Sequence, residues 1–219
     1  MPNWVYSQVS IKGPEKQVAD IQKQLNQSFT MIQDSYNHET KQWEKKEFSY
    51  SNPVFAFWNI HRPIDMEVYN LQEDPNADKN ILFSGNNWYN WNNREWGTKW
   101  DVCVKDGERF SDTEIREVSD GSIYYAFQTA WSPAIPAIQK LSKFVPDCVV
   151  DFSYQEESGW GGKITFLDGA IVQEMEYESM CNECFTPDKM EYCEDCEDEV
   201  CLECNYLRGE TYCNHLVGA

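Results

Sequence analysis

The sequence predicts an α+β domain followed by a small metal-binding module. Three observations carry this. Stretches that alternate every second residue are interleaved with two that repeat at three- and four-residue steps. Seven of the nine cysteines fall after residue 180. Aromatic side chains are dense, with nine Trp, 12 Tyr and 11 Phe, which excludes the disordered class. A chain of 219 residues allows one medium domain plus a small one. The onset of the cysteine run sets the boundary, giving 1–178 and 179–219.

Trp4, Val9 and Ile11 place a first strand over 4–11, ending at Gly13. Pro14 opens a helix, where its missing N–H does no harm, and Val18, Ile21, Leu25 and Phe29 form its apolar stripe. The apolar run Val54, Phe55, Phe57, Trp58, Ile60 predicts a second strand over 50–60, ended by His61-Arg62-Pro63. A short helix is expected over 86–94 and a strand over 96–104. Ile123, Tyr125 and Phe127 alternate, predicting a strand over 123–130. Ser132-Pro133 starts a helix containing Ile135, Ile138, Leu141 and Phe144. Strands over 149–154, 162–167 and 171–175 close the domain, the last after the Asp168-Gly169 turn. The order is β-α-β, an inserted region, then β-α-β-β.

From Cys181 to His215 the spacing is C-x2-C-x8-C-x2-C-x4-C-x2-C-x8-C-x-H. Cys181, Cys184, Cys193, Cys196, Cys201, Cys204, Cys213 and His215 supply eight ligands, enough for two tetrahedral Zn2+. Two residues between cysteines let both thiolates of a tight turn reach one ion. A disulfide framework needs an oxidising compartment, the start of the chain shows no basic-then-apolar leader, and seven tail cysteines leave one over. An iron–sulfur cluster does not explain the closing histidine. Two pairings are open. In a cross-brace, as in RING, PHD and ZZ modules, Cys181, Cys184, Cys201 and Cys204 share one ion, and Cys193, Cys196, Cys213 and His215 the other. In sequential pairing, Cys181 to Cys196 hold one and Cys201 to His215 the other. The x4 spacer favours the cross-brace, whereas the equal x8 loops suit sequential repetition. All eight ligands are filled, so the zinc is expected to be structural, and metal binding supplies much of the folding free energy of this apolar-poor tail.

The formal charge is −19, from 37 acidic against 18 basic residues. Glu194, Asp195, Glu197, Asp198 and Glu199 crowd the central ligands, and the thiolates add more negative charge than two Zn2+ cancel. Such a surface repels nucleic-acid phosphates and favours basic partners. Its plain role is solubility; its sharper one is to occupy a basic groove as a nucleic-acid mimic. No run of 18 apolar residues exists, so no membrane span is expected.

Catalytic signatures are absent from the sequence. There is no G-x-x-x-x-G-K-[ST], G-x-G-x-x-G or H-E-x-x-H. His38 and His61 lack a neighbouring nucleophile, Cys103 and Cys148 read as small buried hydrophobes, and Glu156 and Glu157 point apart in an extended strand. No catalytic residue is assigned. Trp88, Trp91, Trp96 and Trp100 form a cluster that anchors the insertion or, alternatively, stacks nucleobases or centres a protein interface. Trp88 and Trp91 join the acidic residues as candidate partner-binding positions.

Met1-Pro2-Asn3-Trp4, Asn92 to Asp101 (N-N-R-E-W-G-T-K-W-D), Phe127 to Pro133 (F-Q-T-A-W-S-P), Leu141-Ser142 and Tyr154 to Gly162 (Y-Q-E-E-S-G-W-G-G) resemble the YubB ferredoxin-like family of phages and conjugative plasmids. The resemblance covers residues 1 to about 170. It implies a ferredoxin-like fold without an iron–sulfur cluster, a gene on a mobile element and a bacterial cytoplasmic setting, but no activity; the zinc tail departs from its pattern. The expectation is an accessory protein that binds a host protein with a basic surface, such as a defence nuclease or effector, and inhibits it. The alternatives are a single-stranded nucleic-acid binder using the Trp cluster, and a cross-brace adaptor.

Overall fold

The computed structural model describes residues 3–69, 87–108, 113–181, 186–204 and 213. Its centre is β1 (Trp4–Lys12), flanked on one side by β5 (Ser122–Ala130) and on the other by β6 (Val149–Glu156), both antiparallel to it. β4 (Glu114–Ser119) adds outside β5; β7 (Gly161–Leu167) and β8 (Ala170–Tyr177) add outside β6. The sheet order is β4-β5-β1-β6-β7-β8. Within it, β1, α1 (Glu15–Leu25), β4, β5, α4 (Ile135–Phe144) and β6 form the β-α-β-β-α-β unit of a ferredoxin-like fold. β7 and β8 extend one edge, and residues 26–113 are inserted between α1 and β4.

Burial follows the predicted periodicities where the chain folds regularly. Val5, Val9 and Ile11 of β1 meet Ile123, Tyr125 and Phe127 of β5 and Val150, Phe152 and Tyr154 of β6 on one face. Val18, Ile21 and Leu25 of α1 and Ala137, Ile138 and Leu141 of α4 join the same core. Burying a large aliphatic side chain contributes about 1.5–3 kcal/mol, so each of these residues is a substantial contributor to the domain's stability. Among the described residues no helix is long and apolar enough to cross a membrane.

The insertion departs from the sequence reading. Phe29 does not extend the stripe of α1; it begins β2 (Phe29–Asn37), which pairs with β3 (Gln42–Tyr50) as a separate ribbon. The predicted strand over 50–60 is an irregular segment with a single 3-10 turn, Phe57–Asn59. It is deeply buried, with Phe55 and Phe57 at 0% exposure, but its polar backbone is satisfied by remote side chains rather than by a ladder. The Asp101 carboxylate accepts from the N–H of Phe57 and of Trp58, each at 2.8 Å. Asn26 Nδ2 donates to the carbonyls of Pro53 (2.6 Å) and Val54 (3.3 Å), and the segment's own Asn59 Nδ2 donates back to those of Leu25 (3.0 Å) and Gln27 (2.8 Å). The strand predicted over 96–104 is also irregular, because Asp101 Oδ1 closes a turn onto the N–H of Val102 at 2.7 Å. α2 (Met66–Tyr69) is short, and α3 (Trp88–Glu95) matches the helix expected there, capped by Asn87 Oδ1 accepting from the Asn90 N–H.

Candidate metal centre

β8 ends at Tyr177, and the Asp188 carboxylate then accepts from the N–H of Glu178 (2.9 Å) and of Ser179 (3.3 Å). Met180 forms an antiparallel bridge with Pro187 beside Cys181. β9 (Met190–Cys193) and β10 (Asp198–Cys201) form an antiparallel hairpin in which Cys193 faces Asp198 and Cys201 faces Met190. That register sends Cys193 and Cys201 to opposite ends of the hairpin.

Two thiol triads result: Cys181, Cys201 and Cys204 in one, and Cys193, Cys196 and Cys213 in the other. Cys181 Sγ lies 3.6 Å from Cys204 Sγ. Cys213 Sγ lies 3.7 Å from the Sγ of both Cys196 and Cys193. A tetrahedral ion with metal–sulfur bonds of about 2.3 Å sets its ligands about 3.8 Å apart, so the sulfurs already stand at tetrahedral spacing. The triads are those of the cross-brace; sequential pairing would have put Cys181 with Cys193 and Cys196. Cys184 and His215, the expected fourth ligands, lie outside the described residues. Burial, then the neighbouring thiols of Cys213 and Cys193, push Cys196 up to about 12. Crowded thiols resist ionising together, and a dication between them reverses that, as metal coordination deprotonates a thiol outright. Each triad can therefore hold a metal ion.

The acidic residues gather at this module. Glu194, Asp195 and Glu197 are exposed on the turn joining β9 to β10, and Glu191 is exposed on β9. Glu199 is half-buried, and the side chain of Asp198 lies outside the described residues. Three of the five predicted acidic positions thus share one short turn around Cys196.

The four tryptophans do not form one cluster. Trp96 is core, 2% exposed, with its Nε1–H donating to the His61 carbonyl at 2.8 Å. Trp91 is half-buried and stacks on His61 at 5.4 Å. Trp88 and Trp100 are exposed. Three apart on a helix, Trp88 and Trp91 fall on one side, so periodicity does not tell the exposed ring from the half-buried one, and the burial of Trp96 depends on Phe57 and Trp58 from the segment expected as a strand.

The other candidates for chemistry are accounted for structurally. Burial, reinforced by Asp101, pushes the Cys103 thiol far up, and burial also raises Cys148. His61 stands 3.3 Å from Glu95 Oε2, and burial lowers its basicity. Glu156 is 3% exposed while Glu157 is exposed, so the two do point apart. Glu156 Oε2 accepts from the backbone N–H and the hydroxyl of Ser158, which hold its carboxyl below the usual range.

Residues 99–197 match a family model described as the ferredoxin-like domain in Api92-like protein. That span crosses residue 178 and includes the first four cysteines of the tail. No curated protein matches the chain. Among solved structures it is similar to the protein api92 from Yersinia pseudotuberculosis, with a TM-score of 0.54 and 10% identity, over 83% of this chain and 100% of that one. Identity so low shows a shared fold alone. The comparisons thus bear out the ferredoxin-like fold but give the Api92-like description in place of the YubB one. By sequence over residues 99–197 and by fold over most of its length, the chain is similar to the ferredoxin-like domain of Api92-like proteins.

Proposed function

We propose that the chain is a mobile-element accessory protein of the YubB-like kind that acts by binding a basic surface of a host protein, such as a defence nuclease or effector, and blocking it. Its tail is a two-zinc cross-brace that rigidifies the acidic turn. The observation that carries this reading is the placement of Glu194, Asp195 and Glu197 on the turn around Cys196. An ion held by Cys193, Cys196, Cys213 and His215 fixes that turn at both ends, so three carboxylates are presented in one geometry at little entropic cost on binding. Zinc suits a thiolate-rich tetrahedral site, and with every position filled it is structural. Electrostatic complementarity of this kind raises the association rate and gives steep salt dependence.

The test is capture from host lysate with tagged chain at low and high salt, beside a variant with Glu194, Asp195, Glu197, Asp198 and Glu199 all changed to Gln, with zinc assayed in both. A basic nucleic-acid-acting protein should be held by the first, lost at high salt, and lost in the variant with zinc retained. Equal capture by the variant moves the interface to the body and sinks the mimicry.

A further inference from the structure

Four sequence segments that are far apart in the chain meet at one end of the sheet. Trp4 opens β1, Lys99-Trp100 leaves the turn after α3, Trp131 follows β5, and Tyr89 comes from α3. Lys99 Nζ sits 4.4 Å from the ring centroid of Trp100, 4.4 Å from that of Trp131 and 5.9 Å from that of Tyr89. Trp4 packs beside Trp100 at 6.4 Å, and Tyr89 beside Trp131 at 6.3 Å.

Three features of this cluster are unexplained by folding alone. First, Trp100 and Trp131 remain 41% and 43% exposed, so each indole offers area to solvent besides what it gives Lys99. Second, Trp131 holds φ at 72°, the left-handed region that a bulky residue rarely occupies. Its N–H donates to the Asn3 carbonyl at 2.8 Å, which ties the strained backbone down. Such strain persists only where the surroundings impose it, and it gathers at functional sites. Third, the Lys99 ammonium lies against two indole faces, and among the described residues no carboxylate is within ion-pair distance of it.

We infer that this Lys99–Trp100–Trp131–Tyr89 cluster binds a nucleotide unit, one base stacked on an exposed indole and one phosphate on the Lys99 ammonium. Planar bases stack on aromatic side chains irrespective of sequence, and a lysine binds phosphate as a point charge. The net charge selects the size of the ligand. One phosphate meets Lys99 at close range, whereas a long strand places many phosphates in the field of a chain carrying −19. A free mononucleotide or the end of a single strand presents the same chemistry. This site is separate from the acidic turn, and either can fail without the other.

The experiment is isothermal titration of the whole chain with AMP, UMP, adenosine and a short oligothymidylate, at low and moderate salt. Three variants accompany it. Lys99→Gln removes the charge, Trp131→Gly removes the ring in a backbone conformation that glycine accepts freely, and Trp100→Leu removes the second ring. Each is first checked for an unchanged urea midpoint. Monophosphates should bind, with Trp131→Gly and Trp100→Leu each weakening them about tenfold, the range of one base stack. Lys99→Gln should erase the preference for AMP over adenosine. An oligothymidylate that binds no tighter than UMP assigns the site to free nucleotides, and one that binds far tighter assigns it to strand ends. No heat with any nucleotide at millimolar concentration, or affinity untouched by the folded Lys99→Gln and Trp131→Gly variants, overturns the inference.

Discussion

Asp101→Ala tests the physical basis of the insertion. The carboxylate accepts four backbone N–H groups: Phe57 (2.8 Å), Val102 (2.7 Å) and Cys103 (3.4 Å) at Oδ1, and Trp58 (2.8 Å) at Oδ2. Two effects oppose each other. Burial of the carboxylate costs free energy and pushes its pKa up, while the N–H groups pull it back. Removing the side chain recovers the burial cost but orphans the N–H of Phe57 and of Trp58, which are 0% and 5% exposed. Each buried orphan costs about 1–3 kcal/mol. Truncation of a hydrogen-bonded buried charge generally destabilises, so the expected loss is about 3–5 kcal/mol. Asp101→Asn keeps an oxygen at the three-bond position and turns its amide NH2, a donor, towards the Trp58 N–H, so it should cost less, about 1–2 kcal/mol. Urea unfolding followed by tryptophan fluorescence reads both, with the alanine midpoint falling by more than about 1 M. An alanine variant within about 0.5 kcal/mol of the parent, or an asparagine variant worse than alanine, refutes the account. The same turn places Lys99 and Trp100, so nucleotide affinity should fall with stability in the alanine variant.

Cys201→Ser should lower zinc from two ions per chain to one while the body stays folded. All nine tryptophans precede the tail, so their emission reports the body alone; two ions retained, or a collapse of that emission, contradicts the expectation. The second prediction concerns acid. The Lys140 ammonium, hydrogen-bonded at 2.5 Å, and then Arg94 hold Glu95 at about 2 against the ordinary 4.5. A depressed carboxyl contributes stability above its unfolded pKa and loses it as pH falls from 4.5 through about 2. Because Glu95 is 25% exposed, solvent screening reduces the contribution to about 1 kcal/mol. Glu95→Gln should therefore destabilise at pH 7 and approach the parent only as pH falls to about 2; an equal difference at both pH values counts against the ion pair.

The strands and helices of the ferredoxin-like unit were legible because their periodicity is coupled to burial. Val5, Val9 and Ile11 alternate into one core face, and Ile138 and Leu141 lie three apart on a helix facing it. β2 and β3 gave no such signal. Their ribbon buries little besides Met31 and carries charges across most of its length, as in Glu44, Lys45, Lys46 and Glu47. The run from Val54 to Ile60 misled for the opposite reason: it is apolar throughout, so burial is evident but conformation is not. Its conformation is fixed by Asp101, which comes near it only when the chain has folded, and by the run's own Asn59 reaching the carbonyls at the end of α1.

The same division holds at the sites. The spacing of Cys181 to His215 determined by itself that eight ligand-type residues stand in four close pairs, at separations that let both members of a pair reach one ion. Which pairs come together depended on the register of β9 and β10, which sets Cys193 and Cys201 at opposite ends of the hairpin. Four tryptophans within 13 positions looked like one surface; tertiary packing drew Trp96 into the core and set Trp100 beside Trp131 and Trp4. Local pattern specifies which atoms can bind a metal or leave water. Only the folded sheet, which brings residues a hundred positions apart within a few ångströms, determines which of them meet.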